Sequence, residues 1–222
     1  MLPFRRVVVV SPHLDDGVFS LGATVAQASR LGTEVTMLTV LAGDPESTAP
    51  AGNWDQRGGF ATVGEAARAR RVEDGRACSI VGALPVWLPF GDEQYDRGAD
   101  DATIWDAVRD AARGVDAVLV PGSPLKHADH RWLSALFEAR GFPHARLGVY
   151  REQPYAALLR HYRGAQLPAS ARSVAASPRA WVAKARACGA YSSQLPLIGP
   201  APVVRVLAYE LSQRGERIAW ID

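Results

Sequence analysis

The sequence predicts an α/β fold in which one parallel sheet is covered by helices on both faces. Short apolar runs alternate along the chain with longer runs of helical periodicity, the order expected of a doubly wound sheet. The first apolar run, four consecutive valines at 7–10, is typical of a strand that is buried on both faces. Neither a repeat nor a linker interrupts the alternation, so residues 1–222 are predicted to form a single domain.

The first three predicted elements form a βαβ unit. Apolar residues recur at helical spacing over 17–31, and Gly32 directly after them is a typical helix end. A second buried strand follows over 35–41. A strand, a helix and a strand of these lengths are expected to pair in parallel through a right-handed crossover.

The later runs continue the alternation and complete the predicted sheet. Residues 85–90 are a weaker strand candidate, because Pro85 and Pro89 remove backbone donors. The runs 203–209 and 218–220 are apolar without a clear period, so they fit a helix or a strand. The other predicted elements are helices over 60–81, 102–113, 130–139 and 180–191, and strands over 117–120 and 147–150.

A long polar segment, residues 43–59, follows the second predicted strand. Its length and composition are typical of a functional or mobile loop. Its position after a parallel strand predicts that it is mobile without ligand and shapes the mouth of a binding site. Trp54 in its middle has two interpretations, a cover for a bound ligand or an anchor of the loop on the core. A shorter loop over 91–95 follows the third strand candidate.

Composition and charge restrict the class of protein. With 48% hydrophobic and 22% charged residues, the chain has the composition of an ordinary globular protein. The net charge is +2, and the positive residues are almost all arginines spread along the chain, without the dense basic run of a nucleic-acid surface. We therefore expect no nucleic-acid partner.

The sequence also predicts no membrane span and no disulfide. The first apolar run ends at Val10, far short of a signal peptide, and none of the runs reaches the ~20 apolar residues of a spanning helix. Cys78 and Cys188 are isolated cysteines in helical contexts, which disfavours a disulfide framework. A cytoplasmic location is the expectation.

The first cluster of candidate site residues directly follows the valine strand. His13, Asp15 and Asp16 fall in the turn that leads into the first predicted helix. An aspartate at such a junction often caps the helix, because its oxygen accepts hydrogen bonds from free backbone N–H groups. His13 lies three residues before Asp16, however, so one tight turn can bring an imidazole and a carboxylate to one ion. This spacing favours metal binding over capping alone.

A second cluster, His127, Asp129 and His130, follows the predicted strand 117–120. The two histidines are three residues apart at the start of a helix, so their side chains share a face. Such a pair on a surface is often inert. In an open α/β sheet, however, ligands bind at the carboxyl ends of the strands. Two strand ends that both carry histidine and aspartate therefore predict one shared site.

The residue types of the two clusters are those of a metal centre with additional acids and bases. A catalytic zinc takes three protein ligands and keeps a position for water. His13, Asp16 and His130 supply such a set, which also suits Fe²⁺. The remaining members of the clusters are available for proton transfer and for support of the ligands. This surplus of acids and bases favours hydrolysis.

Four segments resemble motifs of one family, the zinc-dependent N-acetylglucosaminyl-phosphatidylinositol de-N-acetylases, also called PIG-L or LmbE-like. Residues 11–16 (SPHLDD) resemble the family's PHxDD motif. Residues 127–131 (HADHR) resemble its HPDHR motif, with alanine in place of the usual proline. Residues 70–83, which begin RRVED and end VGA, resemble its RxxE helix, and residues 191–194 (YSSQ) resemble a late Y/H-x-SQ segment. The resemblance covers most of the chain.

The resemblance implies a Rossmann-like three-layer α/β sandwich with a mostly parallel sheet, and zinc on the three ligands named above. It implies Asp15 as general base and His127 as acid or oxyanion stabiliser, helped by Asp129. It also implies substrate contacts from Arg70 and Asp92. The alternatives for these two are an ion pair of Arg70 with an acid on its own helix and a solvated loop acid. Gly17 departs from the family pattern, which has glutamate at that position.

The predicted function is a metal-dependent amide hydrolase that removes an N-acetyl group from an N-acetylated amino sugar or glycoside. Specialised metabolism and thiol-cofactor biosynthesis are the settings that the resemblance implies. An amidase that acts on a longer acyl chain or a thiol-conjugate amide would use the same residues. A nucleotide-binding module is a remote alternative, because the acids after the first strand would repel phosphate.

Overall fold

The computed structural model describes residues 2–122, 127–158 and 167–221, so parts of the predicted domain at 1, 123–126, 159–166 and 222 lie outside the described residues. The strands are β1 (Arg6–Ser11), β2 (Glu34–Thr39), β3 (Ala83–Trp87), β4 (Ala117–Gly122), β5 (Arg146–Arg151), β6 (Arg172–Val174) and β7 (Glu216–Ile221). The helices are α1 (Asp16–Arg30), α2 (Asn53–Arg57), α3 (Val63–Val81), α4 (Asp101–Ala111), α5 (Ala128–Arg140), α6 (Tyr155–Leu158), α7 (Pro178–Cys188), α8 (Leu195–Ile198) and α9 (Pro202–Ser212).

The strands form one sheet in the order β3-β2-β1-β4-β5-β7-β6. The first five strands in this order are parallel, whereas β7 is antiparallel to both β5 and β6. The predicted mostly parallel sheet is therefore confirmed. The chain crosses from β1 to β2 on one side, and β4 joins β1 on the other. This reversal opens a crevice at the carboxyl ends of β1 and β4, the usual ligand position in such sheets.

Helices cover both faces of the sheet, which confirms the three-layer sandwich. Because successive strand side chains point to opposite faces, the valines of β1 divide between two cores. Val7 and Val9 belong to the core that includes residues of α1, α3 and α7. Val8 and Val10 belong to the core that includes residues of α4 and α5.

The turn between β1 and α1 is held tightly against the sheet. The Ser11 hydroxyl accepts a 2.8 Å hydrogen bond from the backbone N–H of Gly17. A Cβ atom on Gly17 would lie 2.4 Å from the sulfur of Met37 on β2. Glycine at this position, where the family pattern has glutamate, allows this close packing of the turn on β2 with Met37 in its present position.

Helix α3 begins and ends at residues that the sequence marks as helix boundaries. The Thr62 hydroxyl accepts a 3.2 Å hydrogen bond from the N–H of Glu65, whose carboxylate accepts from the N–H of Ala61 at 2.8 Å. Gly82, at φ 74°, ends the helix in the left-handed conformation. The helix thus starts at Val63, later than the predicted residue 60.

The structure corrects several predicted elements. Within 43–59 the chain forms the short helix α2, although the segment was predicted to be a loop. The run 203–209 lies in α9 and the run 218–220 lies in β7, which settles their type. The sequence gives no prediction of α6, α8 or β6, because elements of three or four residues are too short to show a period.

A buried ion cluster joins the C-terminal elements. The ammonium of Lys184 on α7 lies 2.5 Å from a carboxylate oxygen of Glu210 on α9 and 2.6 Å from one of Glu216 on β7. Lys184 is fully buried. Cys78 and Cys188 are free and buried, in agreement with the prediction of no disulfide. Among the described residues, the helices are too short or too polar to cross a membrane.

Candidate active site

The carboxyl edge of the sheet brings both predicted clusters into one site. His13 and Asp16 follow β1, and Asp129 and His130 occupy the first turn of α5, after β4. Glu152 directly follows β5, the next strand in the sheet. The crevice predicted from the strand order is therefore where these side chains meet.

Three potential ligand atoms lie at nearly equal distances from one another. His13 Nδ1 is 3.1 Å from Asp16 Oδ2 and 3.3 Å from His130 Nε2, and the latter two atoms are 3.4 Å apart. Zinc–ligand bonds of about 2.0–2.1 Å give a tetrahedron with edges of about 3.3 Å. The predicted ligand set therefore has the spacing of three corners of a zinc site.

His127 offers a second possible combination. Ligand atoms of His13, His127 and His130 all lie within 4.8 Å of one another. The set with Asp16 is more compact and includes a carboxylate, whose negative charge favours a divalent cation. His127 is also the most exposed of the three histidines, with a side-chain exposure of 27%. The geometry thus favours Asp16 over His127 as the third ligand.

Asp129 holds His13 from the side opposite to its Nδ1 atom. Asp129 Oδ2 lies 3.0 Å from His13 Nε2 and accepts a 2.9 Å hydrogen bond from the backbone N–H of Glu93. Its other oxygen accepts a 2.6 Å hydrogen bond from Arg97, whose guanidinium stacks on the ring of Trp132. The hydrogen bonds of Asp129 thus go to His13, Glu93 and Arg97, and its distance to His127 Nδ1 is 4.0 Å, so its expected help to His127 stays a prediction.

Glu152 gives His130 the same kind of support. Its Oε1 atom lies 2.7 Å from His130 Nδ1, and both side chains are buried. The Tyr155 hydroxyl lies 3.3 Å from Nε2 of the same histidine. Glu152 and Arg97 were not among the site residues predicted from the sequence. Glu152 follows a predicted strand, as the other site residues do, and this position was the one signal that could have found it.

Burial and mutual charge separate the two adjacent aspartates. Burial raises the pKa of Asp16, but the charges of His130 and His13 and the hydrogen bonds from His13 outweigh it and lower the pKa to about 2. Burial and the neighbouring charge of Asp16 raise the pKa of Asp15 to about 6, although Arg70 opposes this. The protein therefore favours a permanent carboxylate at Asp16 and a proton acceptor at Asp15.

The structure decides between capping and a role in the cavity for Asp15. Asp15 occupies the N-cap position of α1, but its side chain accepts no capping hydrogen bond. Its carboxylate is partly buried and lines a cavity of about 380 Å³. The capping interpretation is therefore wrong for the side chain. The cavity is also lined by all the other predicted site residues except His130, which lies fully buried behind it.

His127 lies in this cavity with an open hydrogen-bonding capacity. Its Nε2 atom is 3.6 Å from the nearest carboxylate oxygen of Glu93, beyond hydrogen-bond distance. Its Nδ1 atom is buried without a hydrogen-bond partner among the described residues. Burial and the charges of His13 and His130 lower the pKa of His127, so this imidazole is neutral at neutral pH.

Arg70 and Asp92, the predicted substrate contacts, both line the cavity. A guanidinium nitrogen of Arg70 lies 3.3 Å from a carboxylate oxygen of Asp55 on α2. The other Asp55 oxygen accepts a 2.7 Å hydrogen bond from the Tyr95 hydroxyl. The alternative of an ion pair within α3 is therefore wrong, because the partner of Arg70 comes from the polar segment 43–59.

The acids that follow Arg70 on α3 bind the late YSSQ segment instead. Glu73 accepts hydrogen bonds from the backbone N–H and the hydroxyl of Ser193, at 2.8 and 2.7 Å. Asp74 accepts a 2.7 Å hydrogen bond from the Tyr191 hydroxyl. These contacts place Gln194 at the cavity, where its side-chain oxygen accepts a 2.8 Å hydrogen bond from the indole N–H of Trp54. Trp54 thus anchors the polar segment to the YSSQ segment and lines the cavity, and its role as a cover for a bound ligand stays a prediction.

The sandwich fold and its His–Asp–His set at the sheet edge define a class of α/β proteins with a candidate metal centre beside a cavity. Within that class, the chain belongs to the GlcNAc-PI de-N-acetylase (PIG-L) family, whose sequence model matches residues 8–140. The family that the motifs indicated is therefore confirmed. The match contains His13, Asp16 and His130, whereas Glu152 and the YSSQ segment lie beyond it.

Similar proteins include several deacetylases. A 2'-N-acetylparomamine deacetylase of Streptomyces fradiae is 30% identical over 171 residues, which cover 68% of this chain and 58% of that protein. The match thus spans less than two thirds of this relative's length. An antimicrobial pseudoaglycone deacetylase is 28% identical, with a TM-score of 0.78 and coverage of 97% of this chain and 96% of the other. A deacetylase of teicoplanin biosynthesis, at 22% identity and a TM-score of 0.82, shares the fold over 98% of this chain and 99% of its own.

Proposed function

We propose that this protein is a metal-dependent N-deacetylase that removes the acetyl group from an N-acetylated amino sugar of specialised metabolism. One observation carries the proposal. The compact set of His13, Asp16 and His130 adjoins a cavity that Asp15 and His127 both line, and the Asp15 carboxylate makes no capping hydrogen bond. The names of the relatives, which include deacetylases of N-acetylparomamine and of an antimicrobial pseudoaglycone, support the same reaction.

Zinc is the proposed cofactor, held by His13, Asp16 and His130. When bound, it supplies Lewis-acid polarisation of the amide carbonyl and a lowered pKa of water. The described residues fit such an ion because two imidazoles and one carboxylate share a spacing of 3.1–3.4 Å. Fe²⁺ would accept the same donors.

Asp15 is the proposed general base. Its pKa of about 6 leaves the carboxylate mostly ionised at neutral pH, yet basic enough to accept a proton from the attacking water. The water oxygen adds to the amide carbon, and the former carbonyl oxygen becomes an oxyanion. When the C–N bond breaks, Asp15 returns its proton to the departing amine. The net products are acetate and the free amino sugar.

His127 is the proposed stabiliser of the oxyanion. Its lowered pKa disfavours an imidazolium, so the neutral ring donates a hydrogen bond from one nitrogen to the developing charge. Asp129 acts on the reaction indirectly, because it orients the proposed ligand His13. Arg70 and Asp92 are the proposed contacts to the sugar, since both line the cavity. The guanidinium of Arg70 can donate hydrogen bonds to sugar hydroxyl groups, and the carboxylate of Asp92 can accept them. The cytoplasmic location stays a prediction from the sequence.

Two matched variants test this assignment. The wild-type protein with zinc should release free amine from members of a panel of N-acetylated sugars and glycosylated metabolites. Asp16→Asn should lose metal and activity together. Asp15→Asn should keep its metal while turnover falls by about 10²–10⁴-fold, the usual contribution of a general base. Asp106→Asn, on the exposed face of α4, is the control and should resemble the wild type.

Metal content is measured on each purified protein alongside turnover. If Asp15→Asn retains near-normal turnover with metal bound, Asp15 is not the base and the proposed mechanism fails at its first step. If Asp16→Asn retains a full equivalent of metal, the ligand assignment is wrong.

A further inference from the structure

The cavity contains a group of apolar side chains that the proposed reaction does not use. Leu158 comes from the end of α6, and Leu197 and Ile198 come from α8. All three are partly exposed rather than buried. Two separate helices thus contribute apolar side chains to the cavity that Asp15 and His127 also line.

Packing of the hydrophobic core does not explain Leu158 and Leu197 and explains Ile198 only in part. Among the described residues, Leu158 and Leu197 belong to neither of the two large core clusters, whereas Ile198 packs partly against one of them. Helix α8 contains no fully buried residue. Their apolar surface is therefore available to a ligand in the cavity.

The helices that carry these leucines also hold polar residues of the cavity, one of which lies beside the proposed metal site. Tyr155, whose hydroxyl lies 3.3 Å from His130 Nε2, is three residues before Leu158 and so shares its helix face. Gln194, which binds Trp54 across the cavity, is the N-cap residue of α8 and lies three residues before Leu197. The apolar group therefore begins within one helical turn of Tyr155, which lies beside a proposed zinc ligand, and of Gln194, which lines the cavity.

We propose that this apolar group, Leu158, Leu197 and Ile198, is a subsite for an apolar substituent of the amino-sugar substrate. The inference rests on the proposed function and specifies its substrate class. The cavity of about 380 Å³ falls within the range of about 300–1,000 Å³ that accommodates drug-sized ligands, so it has room for a sugar with a substituent. The hydroxyl groups of a sugar gain nothing from leucine side chains, whereas an aryl or alkyl group is removed from water there.

The apolar substituent has two possible sources, the aglycone of the glycoside or the acyl chain of the amide. Binding of the reaction products distinguishes them without any turnover. Phenyl glucosaminide is compared with methyl glucosaminide for the aglycone, and hexanoate with acetate for the acyl chain. Each dissociation constant is measured by calorimetry on the zinc-loaded protein.

In one of the two pairs, the apolar member should bind about tenfold more tightly or better, as is usual for added apolar groups in a matched pocket. Leu158→Asn and Leu197→Asn should each reduce that ratio several-fold. Leu211→Asn, a similar change at a side chain 57% exposed on α9 and outside the cavity, should leave it unchanged. Metal content and thermal unfolding, measured for each variant, show whether the fold is retained.

The inference is overturned if neither pair shows a preference for its apolar member. It is also overturned if the preference persists in both cavity variants. Failure of the proposed function is a separate result. It would appear as an absence of amine release in the panel assay, whereas the binding ratios are measured by calorimetry and do not depend on turnover.

Discussion

Replacing Glu152 tests whether a residue outside the proposed ligand set controls metal binding. Glu152 is 3% exposed, and its Oε1 atom lies 2.7 Å from His130 Nδ1. This contact fixes the imidazole so that Nε2 points toward Asp16 and His13. Glu152→Gln keeps the size and one acceptor but removes the charge, whereas Glu152→Ala removes the acceptor as well. We expect both variants to bind zinc more weakly.

The magnitude follows from the nature of the contact. A buried hydrogen bond to a charged group contributes about 1.5–3 kcal/mol. Because about 1.4 kcal/mol corresponds to a factor of ten in an equilibrium constant, the expected loss in zinc affinity is between one and two orders of magnitude. Supporting carboxylates of zinc-bound histidines usually have effects of about 10–100-fold. We therefore expect the zinc affinity to fall about tenfold in Glu152→Gln and about 100-fold in Glu152→Ala.

Competition with a chelator of known affinity measures the zinc dissociation constant of each variant. Urea unfolding of the metal-free proteins shows whether a variant binds zinc more weakly because its fold is less stable. Glu138→Gln, an exposed position on α5, the helix that carries His130, is the control and should bind zinc as the wild type does. Unchanged zinc affinity in both Glu152 variants would refute the reasoning. So would a loss of affinity in Glu138→Gln of the same size.

Two further predictions concern pH and the buried ion cluster. Because burial and Asp16 raise the pKa of Asp15 to about 6, kcat/KM should rise with pH through about 6, and the residual activity of Asp15→Asn should lack this rise; a pH–rate profile checks both. Lys184→Met should cost about 3–5 kcal/mol of unfolding free energy at pH 8, since it leaves two buried carboxylates unpaired. Burial already raises the pKa of Glu210 to about 8, above its unfolded value, so protonation stabilises the folded variant as the pH falls. Urea unfolding should therefore show a smaller loss at pH 5, and an equal loss at both pH values would contradict this account.

Local patterns in the sequence were sufficient for the fold class and for most of the candidate site. Four adjacent valines predict a strand buried on both faces, and the structure divides them between two cores. His13 and Asp16 are separated from His130 by more than a hundred residues, yet their meeting was predictable. The carboxyl ends of neighbouring parallel strands share one edge of the sheet, so residues that directly follow such strands are brought together by topology alone.

Tertiary structure alone decided which polar atoms meet within that edge. The spacing of Asp129 and His127 in the sequence did not reveal that Asp129 binds His13 and Arg97. Asp15 occupies a capping position without capping, and only the cavity shows where its carboxylate points.

Glu152 had only its position after a strand as a signal in the sequence, and the apolar group had none, for a related reason. A single glutamate after a strand, or a leucine in a four-residue helix, looks like many others until its neighbours are known. Periodicity and spacing determine which elements form and at which end of the sheet their residues lie. The partner of each side chain depends on how distant elements pack, and that is set by the whole fold rather than by any local run of residues.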